Sequence, residues 1–287
     1  MNDTIKSILR LPWKAGTAIV LLWNKTEAGK ALTIKQYTLH AKNLPKAFDG
    51  CRIVQLADLH GRTFGPGQSD LLQKVQDLHP DLVLSTGDMF GYRTRPKDLL
   101  PVSTLFRRLK ERYPVYAILG NHETRDPNVA TLIREMENTG ITLLRNESTF
   151  LDRGEDRIAL AGLETNQMRD LMDKESEQEL RARMDQTFAD LRKNPSVFTI
   201  LMGHKPELIS VYSEYKPDLV FSGHAHGGLL EVPYLQRRLL APGQGLFPKY
   251  TEGLYLHENS LMVVSTGLGG PRFRITPEIT VVTLKKS

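Results

Sequence analysis

From residue 50 onward the chain repeats one unit: a short apolar run rich in β-forming residues, a polar or glycine-containing turn, and in most cases an amphipathic stretch. The runs are 53–56, 82–85, 115–119, 158–163, 197–202, 219–222, 262–265 and 279–284, with helical candidates at 69–78, 99–112, 129–138, 177–192 and 207–213. Such alternation predicts an α/β domain whose sheet is buried between helices. No internal repeat, low-complexity tract or Ser/Gly linker divides it, so one domain is expected over 46–287, preceded by a leader at 1–45. Residues 229–258 break the pattern with Pro233, Pro242, Gly243, Gly245, Pro248 and Gly253, and read as a long structured loop. Segment 165–195 is highly charged and reads as a solvated helical face.

Composition narrows the chemistry. The lone cysteine, Cys51, excludes an internal disulfide framework and a Cys-rich zinc ribbon, so a metal site would need His, Asp and Asn. The net charge of +5 resides entirely in residues 1–50, while basic and acidic residues cancel over the remainder. A nucleic-acid enzyme would carry its basic stripe on the catalytic domain, so nucleic acid is not an expected partner and an anionic membrane surface is. A solvated basic leader with no partner is the plainer alternative. The leader's apolar run, 15–23, is too short to span a bilayer, which takes about 20 residues. No Ala-x-Ala-like cleavage site follows it and no twin arginine precedes it. The reading is a cytoplasmic protein, peripheral at the membrane through an amphipathic leader, with anchoring or export as alternatives. No protein partner is inferable.

The residues immediately after the apolar runs carry the chemistry. They are Asp58 and His60; Gly87 and Asp88; Gly120, Asn121, His122 and Glu123; Gly203 and His204; Gly223, His224, Ala225, His226, Gly227 and Gly228. Five of the eight histidines thus fall at strand ends, where ligand sites of α/β sheets gather. In an extended chain residues i and i+2 point the same way, so Asp58 with His60, and His224 with His226, could each grip one cation. A glycine before a ligand allows close backbone approach. Oxygen ligands mixed with imidazole suit Mn, Fe, Zn, Co or Ni. Each element alone is commonplace in caps and turns; the ordered set is not.

These blocks, Asp-x-His, Gly-Asp, Gly-Asn-His-Glu, Gly-His and Gly-His-x-His, resemble the signature of the calcineurin-like metallophosphoesterases. The likeness extends through PGQGLFPKYTEGLY at 242–255 and on to 264–284, in the manner of the bacterial YkuE and YaeI branch, some members of which hydrolyse UDP-2,3-diacylglucosamine. The resemblance implies a four-layer αββα sandwich holding two divalent cations, manganese first among the candidates. One cation would take Asp58, His60, Asp88 and His226, the other Asp88, Asn121, His204 and His224, with Asp88 bridging. By the same analogy His122 is catalytic, protonating the leaving oxygen, and Glu123 is the natural partner to orient it. Where many relatives carry a glutamine after the last block, this chain has Leu229.

The expected substrate is a phosphate-containing small molecule or lipid, cleaved at a phosphodiester or pyrophosphate bond. Arg62, Arg272 and Arg274 are candidate phosphate contacts, since a guanidinium pairs two oxygens at once. Apolar residues of the 229–258 loop could line an acyl groove or form the loop's own core. A general phosphodiesterase or phosphomonoesterase for soluble substrates is the alternative, and a non-catalytic phosphate-binding scaffold the remaining one.

Overall fold

Successive side chains of a strand leave in opposite directions, and in the central strands here both directions are apolar. In β2 (Arg52–Leu56) Ile53 enters one core while Val54 and Leu56 enter another; in β3 (Leu82–Ser85) Leu82 and Leu84 part from Val83 in the same way. In β8 (Thr199–Gly203) Ile200 and Met202 join the core of Ile53 while Leu201 joins a third, and in β9 (Leu219–Ser222) Leu219 and Phe221 part from Val220 likewise. The shared core lies between two sheets, and each outer core between a sheet and its helices. The computed structural model describes residues 31–164, 177–229, 231–232, 237–270 and 272–287, and of 231–232 and 237 only the backbone. The apolar run 15–23 and residues 165–176 of the charged segment lie outside them.

The first sheet has the order β1 (Thr33–Ala41), β16 (Glu278–Lys286), β2, β3, β4 (Val115–Ala117), β5 (Thr142–Leu143). It is parallel except where β16 meets β2. Helices α1 (Ser69–Asp77), α2 (Pro96–Lys110) and α4 (Val129–Glu137) cover it, burying Leu71, Val75, Leu105, Phe106, Leu132 and Met136. The second sheet runs β14 (Gly253–His257), β15 (Ser260–Val264), β9, β8, β7 (Asp156–Leu163), β6 (Glu147–Arg153), parallel over β15, β9, β8 and β7 and antiparallel at both edges. Helices α5 (Glu177–Thr187) and α6 (Ile209–Glu214) cover it through Leu180, Met184, Ile209 and Tyr212. Four layers result, αββα, as the resemblance implied. Among the described residues no helix is long and apolar enough to cross a membrane.

Three readings change. Thr33–Ala41, assigned to the leader, is a strand of the first sheet: it pairs with β16 in the register Tyr37 to Val282, and Tyr37 and Leu39 reach the inter-sheet core. Its alternation of half-buried and exposed residues is that of an edge strand, and its basic residues are tied in, Lys35 lying 3.1 Å from Glu252 and 3.6 Å from Glu278. Within 229–258 the chain forms short antiparallel pairs, β10 (Glu231–Val232) with β11 (Arg237–Arg238) and β12 (Leu240–Ala241) with β13 (Gly245–Leu246), before β14. Helix α5, read as a solvated face, buries one side against β7.

If β1 belongs to the domain, Leu39→Asp should lower stability by about 1–3 kcal/mol, while Thr38→Asp, one residue along and exposed, should cost about 0.5 kcal/mol or less. Urea unfolding midpoints of the two variants measure the difference, and equal midpoints would return the segment to the leader.

Candidate functional site

Every candidate ligand follows the carboxyl end of a strand: Asp58 and His60 after β2, Asp88 after β3, Asn121 and His122 in α3 (Asn121–Thr124) after β4, His204 after β8, and His224 and His226 after β9. The two sheets bring these ends together. Asp58, His60 and His226 offer ligand atoms within 4.8 Å of one another, as do Asp88, His204 and His224, and also His60, Asp88 and His122. The first two trios draw on both sheets, so the site forms only when the sandwich does.

The local backbone is not the extended chain that the i, i+2 spacing suggested. Asp58, His60, Asp88, His224 and His226 all have φ between 49° and 65°, in the left-handed region that non-glycine residues seldom occupy. Such strain persists where the surroundings over-determine it, and functional sites are where it collects. Here a hydrogen-bond ladder continues past the strands: Asp58 N donates to Gly87 O (3.0 Å), His60 N to Asp88 O (3.0 Å) and Gly61 N to Met89 O (2.8 Å). Gly87 is obligatory at φ 95°, since a Cβ there would lie 2.7 Å from Gly120 and 2.9 Å from His204 Nδ1. A Cβ at Gly223 would stand 2.4 Å from Asp58 Oδ2.

Side chains fix the rest. His204 is buried with Nδ1 2.7 Å from Thr86 O, which turns Nε2 toward Asp88 Oδ2 at 3.3 Å. Asp88 Oδ1 accepts from His122 N at 2.8 Å, and Asp58 accepts from His224 N at 3.1 Å. Glu123 does not orient His122. Its carboxylate accepts from the backbone N–H of Asp88 (2.9 Å), Phe90 (2.8 Å) and Gly120 (2.9 Å), stitching the loops after β3 and β4 together. His122 is half-buried, with Nε2 3.8 Å from Asp88 Oδ2 and its ring 4.5 Å from that of His60. Gln55 was not singled out from the sequence; its buried Nε2 donates to Thr86 Oγ1 (3.0 Å) and Ser222 O (2.9 Å), joining the two sheets beneath the site. An uncharged polar residue inside an apolar strand was the available signal.

Electrostatics sorts the ligands. Burial holds His60, His224 and His226 as neutral imidazoles, His60 down to about 3. Burial also opposes charging His204, but Asp88 overrides it and raises the imidazole to about 9. Asp58 is pushed up to about 7, first by burial, whereas at Asp88 His204 and His122 overcome burial and hold the carboxylate well below its usual range. Several polar atoms of the cluster are unsatisfied: His60 Nε2, Asp88 Oδ2, Asn121 Oδ1 and His204 Nε2 are buried without a hydrogen-bond partner, and His226 turns Nε2 toward Asp58 Oδ1 at 3.9 Å. Lone pairs and carboxylate oxygens gathered in this way fit divalent cations.

The arginine candidates separate. Arg272 is fully buried, its guanidinium donating to the carbonyls of Gly267 (2.9 Å) and Gly269, so it braces the loop beside Asp58 and is not a solvent-facing phosphate contact. Arg62 is half-buried over the Phe64 ring and donates to Leu268 O at 3.4 Å. Arg274 is exposed and lines a polar hollow of about 210 Å³ with Lys35, Arg238 and Glu252.

Comparison with known proteins agrees with this geometry. The chain is 29% identical to the uncharacterized metallophosphoesterase YkuE of Bacillus subtilis over 88% of its own length and 85% of that protein's. It is 27% identical to the UDP-2,3-diacylglucosamine pyrophosphatase LpxG of Chlamydia muridarum, over 83% and 86%. Its fold is similar to that of TT1561 of Thermus thermophilus, with a TM-score of 0.51 at 15% identity, covering 76% of this chain and 90% of that one. Residues 51–228 match the profile of the calcineurin-like phosphoesterases, and with the YkuE likeness this makes the chain a member of that family of metal-dependent phosphoester hydrolases.

Proposed function

We propose that this chain is a binuclear phosphohydrolase that cleaves a phosphodiester or pyrophosphate bond in a lipid-linked or nucleotide-linked substrate such as UDP-2,3-diacylglucosamine. The observation that carries the binuclear reading is the inward set of buried, unsatisfied ligand atoms on both sides of Asp88. Asp58, His60, Asp88 and His226 would hold one cation and Asp88, Asn121, His204 and His224 the other, with manganese proposed for both. Such cations supply Lewis acidity, lowering the pKa of a water and neutralising phosphoryl charge. Asp88, anchored by the His122 N–H and faced by His204, is the shared carboxylate. His122, 31% exposed at the edge of the cluster, is free to meet a leaving oxygen and donates its proton there.

Two observations favour a lipid-linked substrate at a membrane surface. The β12–β13 hairpin leaves Leu240, Leu246 and Phe247 41%, 57% and 60% exposed, although Leu239 beside them is buried and Tyr250 packs on Tyr255. Gly243 in its turn lies against the Glu207 carboxylate, which is 3.7 Å from His224 Nε2. The apolar tip therefore stands next to the metal-ligating corner, and LpxG supplies the chemical precedent.

The test is hydrolysis of bis-p-nitrophenyl phosphate, p-nitrophenyl phosphate and UDP-2,3-diacylglucosamine by chelator-stripped protein with and without manganese. Restored cleavage with UDP-2,3-diacylglucosamine preferred supports the reading; preference for a nitrophenyl ester moves it to a general phosphoesterase, and no cleavage despite bound metal defeats it. Asp88→Asn should drop metal content from two ions and cut turnover by more than about 100-fold, and full retention of both would refute the bridge. His122→Ala should keep both metals and lose about 10²- to 10⁴-fold in kcat. Unchanged turnover in that variant would make His122 a support for the Asn121 turn.

A further inference from the structure

One corner of the site gathers two cationic side chains that no ion pair among the described residues engages. Lys205, directly after the ligand His204, is only 8% exposed, yet its ammonium makes no hydrogen bond and no ion pair among the described residues. Arg125, which closes α3 after Asn121 and His122, is half-buried, has a buried Nε without a hydrogen-bond partner and likewise forms no ion pair among the described residues. Both stand beside the same corner, Lys205 directly after His204 and Arg125 at the end of the helix that begins with Asn121, and Lys205 feels the like charge of Arg125. Asp88 and Glu207 are the carboxylates acting on Lys205, but Asp88 is engaged by His204 and His122, and Glu207 turns toward His224.

A lysine held at 8% exposure with no ion-pair partner is costly, and so is the gathering of like charges. Packing gives no compensation that a methionine of the same length would not. Such an arrangement persists where a ligand of opposite charge completes it, and the ligand must present oxygens to a point charge and a planar fork together. Phosphoryl oxygens do so.

We propose that Lys205 and Arg125 form a phosphoryl-binding subsite beside the Asp88, His204 and His224 corner, which takes the anionic oxygens of the substrate's phosphate. The proposal rests on the phosphohydrolase reading for its substrate, but not for its test.

The probe is inorganic phosphate titrated calorimetrically into the full-length, manganese-loaded protein, with manganese content measured on the same samples. Lys205→Met should bind phosphate roughly 10- to 100-fold more weakly at unchanged manganese content, and Lys205→Arg should recover most of the loss. The thermal midpoint of Lys205→Met without phosphate should equal or exceed that of the natural chain, because a partly desolvated charge beside other cations has been removed. Arg125→Gln should weaken phosphate in the same direction and decides the matter if Lys205→Met fails to fold or to take up manganese. Affinity within about twofold of the natural chain in a manganese-replete variant, or no phosphate binding by the natural chain, overturns the subsite. Should the natural chain bind phosphate but hydrolyse no ester, the phosphohydrolase reading falls while the affinity difference still decides the subsite.

Discussion

Asp58 and Asp88 are the carboxylates around which the strand ends are organised, and both are almost wholly shielded from water, at 0% and 1% exposure. Negative charge can be kept in such a place only if positive charge is brought to it. The surrounding imidazoles do not supply enough. Burial keeps His60, His224 and His226 neutral, and His204, though raised to about 9, spends its charge on Asp88, with His122 beside it. Asp58 is left pushed up to about 7 among protein groups alone. Neutral nitrogens and carboxylate oxygens facing a common point form a set that divalent cations complete, and metal dependence follows from the charge balance as well as from family membership.

Holding such ligands in place needs a backbone that would not fold this way unaided. Five left-handed candidate ligands are maintained by contacts that cross from one loop to the next: the ladder from Asp58, His60 and Gly61 to the loop after β3, the three N–H groups gathered by Glu123, and Arg272 on the carbonyls of Gly267 and Gly269. Gln55 ties one sheet to the other immediately below. The strain is thus distributed over both sheets, which explains why the glycines cluster where loops touch, as Gly87 does against Gly120 and Gly223 against Asp58. A side chain at Gly223 would strike the Asp58 carboxylate directly, and one at Gly87 would press on both Gly120 and His204.

Much of this is legible in the sequence, and the parts that are not share a cause. Central strands such as 82–85 and 219–222 announce themselves because both faces are apolar, and the candidate ligands that the fold gathers announce themselves because imidazole and carboxylate at strand ends have little packing use. Edge strands do not. Residues 33–41 alternate only weakly and carry charge, and their place beside β16 depends on a partner some 245 residues away in the register Thr33 to Glu278. The roles of Glu123 and Arg272 were misread for a related reason. A charged residue near a motif suggests contact with substrate or with its neighbour, whereas each instead satisfies backbone groups of loops that only the tertiary fold brings within reach. The i, i+2 argument brought Asp58 and His60 into one cluster but not His224 and His226, which fall into different ones, and where residues converge they do so through left-handed turns and not through strand pleating.

Glu207 links the polar and apolar sides of the site. Two residues before it lies Lys205, against it lies Gly243 of the hairpin that exposes Leu246 and Phe247, and 3.7 Å from it lies His224. Burial raises the Glu207 carboxyl above its ordinary range, and Oε2 has no hydrogen-bond partner. Glu207 offsets part of the Lys205 charge without forming an ion pair with it, and Arg125 adds like charge to the corner, which has an apolar wall beside it. A soluble nucleotide would use the positive charge and leave the wall in water, whereas an amphiphilic phosphoester would use both, because its acyl carbons begin within a few bonds of its phosphate. Exposed leucine and phenylalanine next to a cationic pocket gain free energy only when something apolar covers them, at about 25 cal/mol per Å². Of the two substrate classes, the lipid-linked one is therefore the better match to the surface that surrounds the cluster.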